Sequence, residues 1–316
     1  MKRWTVWLLC LLVALAGFAC AKSGDDDDSA GDDDTGGDDT GDDDVDTTPP
    51  AITDTTDLPD TLDATGPYTV SATVTDDVAV AAATLSYRVD GGAFTDVPMT
   101  AAGDVYSADI PGQAAGSLVE YYVTASDTSA NEATDPADAP TSVYDFHILT
   151  AETYATDDGE ADNASGFASA DTMGVKIYTP SGYPSVLTSV SIFLAGQTDY
   201  TADYELVVLA DPTGGTPEDA TQAWTSGQIT ELPPVWPDGE WKEIDLGDAL
   251  ADTPLEAGTW VVGIRWGAAA AHRGPFVGVD LSAGNDPNSY AYAGAWDTLL
   301  NFGVDGQWMI RATGYY

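Results

Sequence analysis

Apolar and polar residues alternate at successive positions in many short segments of this chain. Residues 68–75 are an example, because apolar side chains occupy the even positions and hydroxyl-bearing side chains the odd ones. Successive side chains of a strand point to opposite faces, so this pattern predicts strands with one buried face. Asp outnumbers Glu by 43 to ten, and Asp favours turns and caps whereas Glu favours helices. The sequence therefore predicts an all-β fold and argues against a long-helix or coiled-coil protein.

Residues 1–19 have the organisation of a secretory signal peptide. Lys2 and Arg3 precede an apolar run at 4–19, which ends in small residues directly before Cys20. The segment 15–20, LAGFAC, resembles the lipobox of bacterial lipoproteins, in which the Cys becomes the lipidated first residue. The resemblance implies that Cys20 is lipidated and, because Ala21 follows it, that the protein is sorted to the outer membrane. Cleavage after Ala19 by ordinary signal peptidase is the alternative.

Residues 20–46 are predicted to form a disordered, Asp-rich tether. The segment contains 13 Asp and only one Lys and one Val, so it buries too little apolar surface to offset its ordering entropy. Residues 47–316 add 40 acidic side chains against six basic ones. Such a charge excludes the basic surface that nucleic acid requires. The tether is interpreted as a spacer on the membrane, with loose collection of divalent cations as the alternative.

Residues 47–149 contain about seven short alternating segments separated by turn residues, including Asp90-Gly91-Gly92. The stretch from VSATVTDD at 70–77 to TASDTSAN at 124–131 resembles the immunoglobulin-like and fibronectin type III-like modules of bacterial surface proteins. The resemblance implies an immunoglobulin-like sandwich that acts as a spacer or an adhesive module. This segment has neither Trp nor Cys, so it lacks the Trp–disulfide core of antibody domains.

Residues 150–316 hold all seven Trp that follow the leader, and about eight to ten alternating segments. The segments WKEIDL at 241–246, WVVGIR at 260–265 and WMIRA at 308–312 resemble the C-terminal jelly-roll domain appended to many secreted bacterial proteins. The resemblance implies a larger jelly-roll-type sandwich, whose relatives include carbohydrate-binding folds. Trp260 and Trp308 are expected in its core.

Motifs for catalysis are absent from the sequence. There is no H-E-x-x-H, G-x-S-x-G, phosphate-binding or dinucleotide-binding motif. The two His, His147 on an outward strand face beside Asp145 and His272 in a loop, are expected at the surface. The protein is therefore predicted to be non-catalytic, although a pair of carboxylates would suffice for a glycoside hydrolase.

Aromatic side chains provide the better functional candidates, because Trp and Tyr combine a flat apolar face with a polar edge. Tyr290, Tyr292 and Trp296 cluster in what reads as a long polar loop at 281–307. Trp241 alternates onto the same face as Glu243 and Asp245, and Trp266 ends its strand next to a Gly/Ala loop. These five residues are predicted to bind carbohydrate or cell-envelope material on a surface-displayed lipoprotein. Packing alone is the alternative, and the protein would then be a structural spacer.

A calcium site is predicted at the start of the second sandwich. Residues 157–163 read DDGEADN, and Asp158, Glu160 and Asp162 project to one side of an extended chain, with Asp157 beside them. Carboxylate oxygens are the ligands that Ca²⁺ prefers, and the jelly-roll resemblance implies a structural calcium near the first strand. A solvated loop is the alternative.

Overall fold

The computed structural model describes residues 46–167, 169, 171–196, 201–267, 275–282 and 284–316. Cys20, His272 and the tether up to residue 45 lie outside this part of the chain. The described residues belong to one compact unit, 46–316, and consist of antiparallel strands with two short 3-10 helices. The predicted all-β class is therefore confirmed. Across these residues, no helix has the length and apolarity needed to cross a membrane.

Nine strands form the first sandwich. They are β1 (Ala51–Thr53), β2 (Tyr68–Thr75), β3 (Val80–Val89), β4 (Thr95–Pro98), β5 (Thr100–Ala102), β6 (Val105–Ile110), β7 (Leu118–Asp127), β8 (Glu132–Asp135) and β9 (Tyr144–His147). One sheet has the order β1-β2-β6-β5, and the other has the order β4-β3-β7-β8 with β9 also paired to β7.

The core of the first sandwich follows from the alternation seen in the sequence. Along β2 and β7 every second side chain is buried. Their inward residues, such as Val70 and Tyr121, belong to one apolar cluster together with Phe146 of β9. Antiparallel sheets with one wet face show this pattern.

Fourteen strands of the described residues form the second sandwich. They are β10 (Ala151–Tyr154), β11 (Asn163–Ser165), β12 (Met173–Tyr178), β13 (Val186–Ala195), β14 (Ala202–Asp211), β15 (Thr221–Thr225), β16 (Ile229–Glu231), β17 (Glu240–Asp245), β18 (Thr259–Trp266), β19 (Phe276–Asp280), β20 (Ser289–Tyr292), β21 (Trp296–Thr298), β22 (Gln307–Trp308) and β23 (Ile310–Tyr315). The 3-10 helices are η1 (Pro217–Asp219) and η2 (Leu299–Phe302). The predicted loop at 281–307 therefore contains β20, β21 and η2, which is a correction to the sequence-based expectation.

Two seven-stranded sheets face each other in this sandwich. The first has the order β10-β23-β13-β19-β11, with β17 paired to β13 and β22 to β19. The second has the order β15-β14-β18-β12-β20-β21, with β16 paired to β14. Trp260 and Trp308 are fully buried in the apolar cluster between the sheets, as predicted. This cluster is separate from the apolar cluster of the first sandwich. That the chain divides at 149/150 into two domains that each fold alone stays a prediction.

The second sheet is also covered on part of its outer face. Val175, Val207 and Val261, from three neighbouring strands, form a second apolar cluster on this face and are fully buried. Tyr290 and Trp296 of the β20–β21 hairpin pack against it. Because β14 and β18 are covered on both faces here, each contains a continuous apolar run, at 206–209 and 260–262.

Candidate ligand-binding groove

A groove of about 690 Å³ lies on the outer face of the second sheet of the C-terminal sandwich. One wall comes from the η1 turn, and the other comes from the β20–β21 hairpin. Its lining consists of Asp171, Met173, Leu209, Pro217, Glu218, Ala220, Gln222, Arg265, Tyr292, Ala295 and Trp296. A concave site with an apolar floor and a few convergent polar groups has the usual character of a ligand pocket.

Strand register aligns five outward side chains in one row across this face. Trp296 pairs with Tyr292, Tyr292 with Met173, Met173 with Arg265, and Arg265 with Glu205. Neighbouring strands lie about 4.8 Å apart, so the row extends for about 19 Å. The groove therefore changes along its length from aromatic, through Met173, to charged.

The aromatic end of the row consists of Tyr292 and Trp296. Both side chains are half-buried, and their ring centroids lie 5.2 Å apart at an interplanar angle of 55°. The two rings support each other in a fixed arrangement, since aromatic pairs at this distance attract. They leave partly exposed faces toward the groove.

The charged end is held by hydrogen bonds. The Arg265 guanidinium donates to Glu205 Oε2 at 2.9 Å and to Gln222 Oε1 at 3.0 Å. These two acceptors fix the plane of the guanidinium, whose remaining N–H groups are available as donors. Asp171 and Glu218 add carboxylate acceptors to the lining. The site thus combines directed donors and acceptors with two aromatic rings.

The five aromatic residues predicted to bind a ligand do not all lie in the groove. Tyr292 and Trp296 line the groove, and Tyr290 packs against the outer apolar cluster beside it. Trp266 is only 1% exposed, and its indole N–H donates to the Pro275 carbonyl, so its predicted role in binding is corrected. Trp266 directly follows Arg265 in β18, so the two side chains point to opposite faces of the sheet. The Trp266 ring therefore lies in the core.

Trp241 lies apart from the groove, on β17 in the opposite sheet. Its ring packs edge-on against Phe193 with centroids 5.7 Å apart. The guanidinium of Arg311 lies 4.2 Å from the centre of the Trp241 ring. The ring therefore already has a cation and an aromatic partner, and the structure does not bring it together with Tyr292 and Trp296.

The carboxylates of the predicted calcium segment point to different partners. The fully buried Asp157 carboxylate accepts hydrogen bonds from Arg311, so its charge is already balanced by a cation. Asp158 accepts from Ser282, Asp162 accepts from the backbone N–H of Leu281 at 2.9 Å, and Glu160 donates its backbone N–H to Asp158. Among the described residues these four acids do not form a compact carboxylate group. Calcium binding by this segment stays a prediction. Asp157 was expected to be one of the calcium ligands, and the structure corrects this, because its carboxylate pairs with Arg311.

A buried polar network lies next to this segment and was not predicted. Lys176 is fully buried and donates to Thr156 and Gln307, while Asp286 lies 3.3 Å from its ammonium group. Burial lowers the pKa of Lys176, and the charge of Asp286 opposes that shift. Asp280 is also buried, which raises its pKa, but donors from Ser282 and Gln307 outweigh burial and hold the pKa below its usual value. The network connects β12, β19 and β22 within the core.

His147 is exposed, as predicted. Its partner is Asp60, because the ring Nδ1 lies 3.3 Å from Asp60 Oδ1. The backbone N–H of His147 donates to the same oxygen at 2.6 Å.

The groove residues that the sequence analysis missed are Asp171, Met173, Glu218, Gln222 and Arg265. Arg265 carried a usable signal, because period-two alternation in WVVGIRW places it opposite Trp260, Ile264 and Trp266. Asp171, Glu218 and Gln222 come from turns and an edge strand, where no local pattern indicates which residues will share a surface. Met173 is the first residue of the interior strand β12.

No protein-family model matches the sequence, and no curated protein matches it. Solved structures similar to the chain include the clostridial cysteine protease Cwp84 after propeptide cleavage, with a TM-score of 0.38 and 10% identity over 74% of this chain and 65% of that chain. Another comprises the cysteine protease and lectin-like domains of Cwp84, a surface layer associated protein of Clostridium difficile, with a TM-score of 0.35 and 9% identity over 74% and 58% of the two chains. The chain thus spans less than two thirds of the length of both, and no activity is transferred from them.

Proposed function

We propose that this chain is a non-catalytic, surface-displayed lipoprotein that binds carbohydrate in the groove of its C-terminal sandwich. The observation that carries the proposal is the row of outward side chains from Trp296 to Glu205 across the second sheet. Sugar rings present both apolar C–H faces and polar hydroxyl edges. An aromatic wall opposite directed donors and acceptors complements both.

The charge of the groove supports a neutral or amino sugar over an acidic one. Asp171 and Glu218 are in the lining, and the one basic side chain among the described lining residues, Arg265, is ion-paired to Glu205. The protein as a whole carries a formal charge of −44, which repels anionic ligands at low salt.

The test is a glycan-array screen of the chain from residue 21 onward, followed by calorimetric titration of any glycan that binds. We expect Trp296→Ala and Tyr292→Ala each to weaken binding at least tenfold, because each removes part of the aromatic wall. Trp241→Ala is the matched control, since it removes an indole of the same sandwich outside the groove, and it should leave the affinity unchanged.

Three other outcomes would replace the proposal. Absence of binding to every neutral and amino glycan tested would favour a structural spacer. Weaker binding in Trp241→Ala but not in Trp296→Ala would place the site on the opposite sheet. Release of new reducing ends that is lost in Glu218→Gln would indicate a glycoside hydrolase, for which paired carboxylates suffice.

Display at the surface rests on the leader and the tether. Cys20 would carry the lipid, and the Asp-rich residues 21–46 would hold the sandwiches away from the membrane as an extended charged linker. Cys20→Ser should release the protein from the membrane fraction. Unchanged fractionation of that variant would contradict lipid anchoring.

A further inference from the structure

Three carboxylates from distant parts of the sequence meet at one end of the first sandwich. Asp46 precedes β1, Asp76 directly follows β2, and Asp127 is the last residue of β7. One carboxylate oxygen of each lies within 4.8 Å of those of the other two. Asp127 is only 3% exposed, and the other two residues are half-buried.

Backbone and side-chain donors hold these carboxylates in place. Asp127 accepts from the N–H groups of Ser129 and Asn131, each at 2.8 Å. Asp76 Oδ2 accepts from the N–H groups of two following residues. Asp46 Oδ1 accepts from Thr48, and the Asp46 carbonyl accepts from the Asn131 amide at 3.0 Å. The arrangement is therefore built by the fold and does not depend on flexible surface chains.

Two oxygens of the group have no donor at all. Asp46 Oδ2 and Asp76 Oδ1 are inaccessible to solvent and accept no hydrogen bond from any described residue. Buried polar atoms without partners are rare in folded proteins and require an explanation. Adjacent negative charges make the requirement stronger, because like charges at this distance repel.

No basic side chain of the described residues supplies the missing charge. The five Lys and Arg in this part of the chain pair with other acids, in Arg88–Glu120, Lys176–Asp286, Lys242–Glu231, Arg265–Glu205 and Arg311–Asp157. A cation from solution can satisfy both the charge and the unpartnered oxygens.

We propose that Asp46, Asp76 and Asp127 bind a calcium ion that fastens the first residues of the folded unit to the ends of β2 and β7. Ca²⁺ takes six to eight oxygens at about 2.3–2.6 Å, so two oxygens bound to the same ion lie no more than about 5 Å apart. The observed limit of 4.8 Å meets this condition. Zn²⁺ in proteins usually has Cys or His ligands, and Mg²⁺ demands tighter octahedral geometry at about 2.0–2.1 Å.

The test uses the full chain and calcium alone, measured by calorimetric titration and by thermal unfolding. Calcium should raise the melting temperature by several degrees beyond the effect of NaCl at equal ionic strength, because an ion that binds only the folded state stabilises it. Asp46→Asn and Asp76→Asn should each weaken calcium binding at least tenfold. An Asn keeps an acceptor oxygen for the local N–H groups, so both variants should fold, which circular dichroism would verify.

Asp211→Asn is the matched control. Asp211 is fully buried and also has an unpartnered oxygen, but it belongs to no carboxylate group among the described residues, so its replacement should leave calcium affinity unchanged. The acids of residues 21–45 are the same in all variants and contribute equally to any loose binding.

Two results would overturn the proposal. One is a melting temperature that calcium does not change beyond the NaCl control. The other is a calcium effect that survives in Asp46→Asn and Asp76→Asn but is lost in Asp158→Asn, which would place the ion at the predicted segment of the second sandwich.

Discussion

A single tyrosine, Tyr121, connects the core of the first sandwich to the segment between β1 and β2. Its ring is fully buried and stacks on Tyr144 with centroids 5.4 Å apart. Its hydroxyl donates to the Thr56 carbonyl at 2.7 Å and accepts from the Leu58 N–H at 3.0 Å. Burial raises the pKa of Tyr121 to about 12, because the ionised form would lie in an apolar environment.

The raised pKa of Tyr121 predicts a loss of stability in alkali. Its contribution is complete below the unfolded pKa of about 10 and is lost as the pH rises toward about 12, because only the unfolded state ionises in this window. Tyr121→Phe should therefore reduce the fall in unfolding free energy between pH 9 and 11.5 by roughly 1–2 kcal/mol. Denaturant titrations at both pH values are the measurement, with Tyr122→Phe as the control. An unchanged fall in Tyr121→Phe would contradict this role.

At the scale of the element, β18 is a central strand of the second sandwich. It pairs with both β12 and β14 along almost its whole length, and seven of its eight residues are buried. Its inward side chains build the main core, and Val261 builds the outer cluster. The same strand contributes Arg265 to the groove, so the packing of β18 and the geometry of the site are linked.

Gly263 allows β12 to approach β18 on the outer face. A Cβ at this position would lie 2.1 Å from the Gly174 carbonyl oxygen and 2.7 Å from a methyl carbon of Val175. Gly263→Ala should therefore destabilise the protein by about 1–3 kcal/mol, the usual cost of overpacking. Thermal or denaturant unfolding measures the change. Gly227→Ala provides a comparison at a position with open space but a positive φ of 67°, and equal effects of both substitutions would contradict the steric explanation.

At the scale of the whole molecule, negative charge dominates. Residues 47–316 carry 40 acidic side chains and six basic ones, and the described basic residues are already ion-paired. The remaining acids repel one another at a compact surface, and this repulsion destabilises the folded state relative to the expanded one.

This repulsion predicts that salt stabilises the protein. Raising NaCl from low concentration to about 1 M shortens the Debye length to about 3 Å and screens the surface acids from one another. The melting temperature should rise across this range in scanning calorimetry without divalent ions. A flat or falling trend would mean that the acids are spaced beyond effective repulsion.

The fold class follows from the sequence because its signal is local. Alternation at period two identified β2, β7 and β13 within a few residues of their ends, since each strand's two faces are set by immediate neighbours. The same alternation predicted the exposure of His147. The burial of Trp260 and Trp308 was expected on a different ground, because most Trp of a sandwich belong to its core. Short edge strands such as β5 and β21 were missed, because three residues carry too little pattern.

The sites depend instead on which strands pair and in what register, and no local pattern encodes that. Trp296 and Arg265 share a groove only because β20 and β12 lie between them in the sheet. Asp157 pairs with Arg311, which is 154 positions away in the sequence. Asp46, Asp76 and Asp127 lie together although Asp46 and Asp127 are 81 positions apart. In a chain with 43 Asp, composition shows only that carboxylates are abundant. Long-range pairing decides which of them are buried together, because the free energy of a cluster depends on distances that only the folded chain sets.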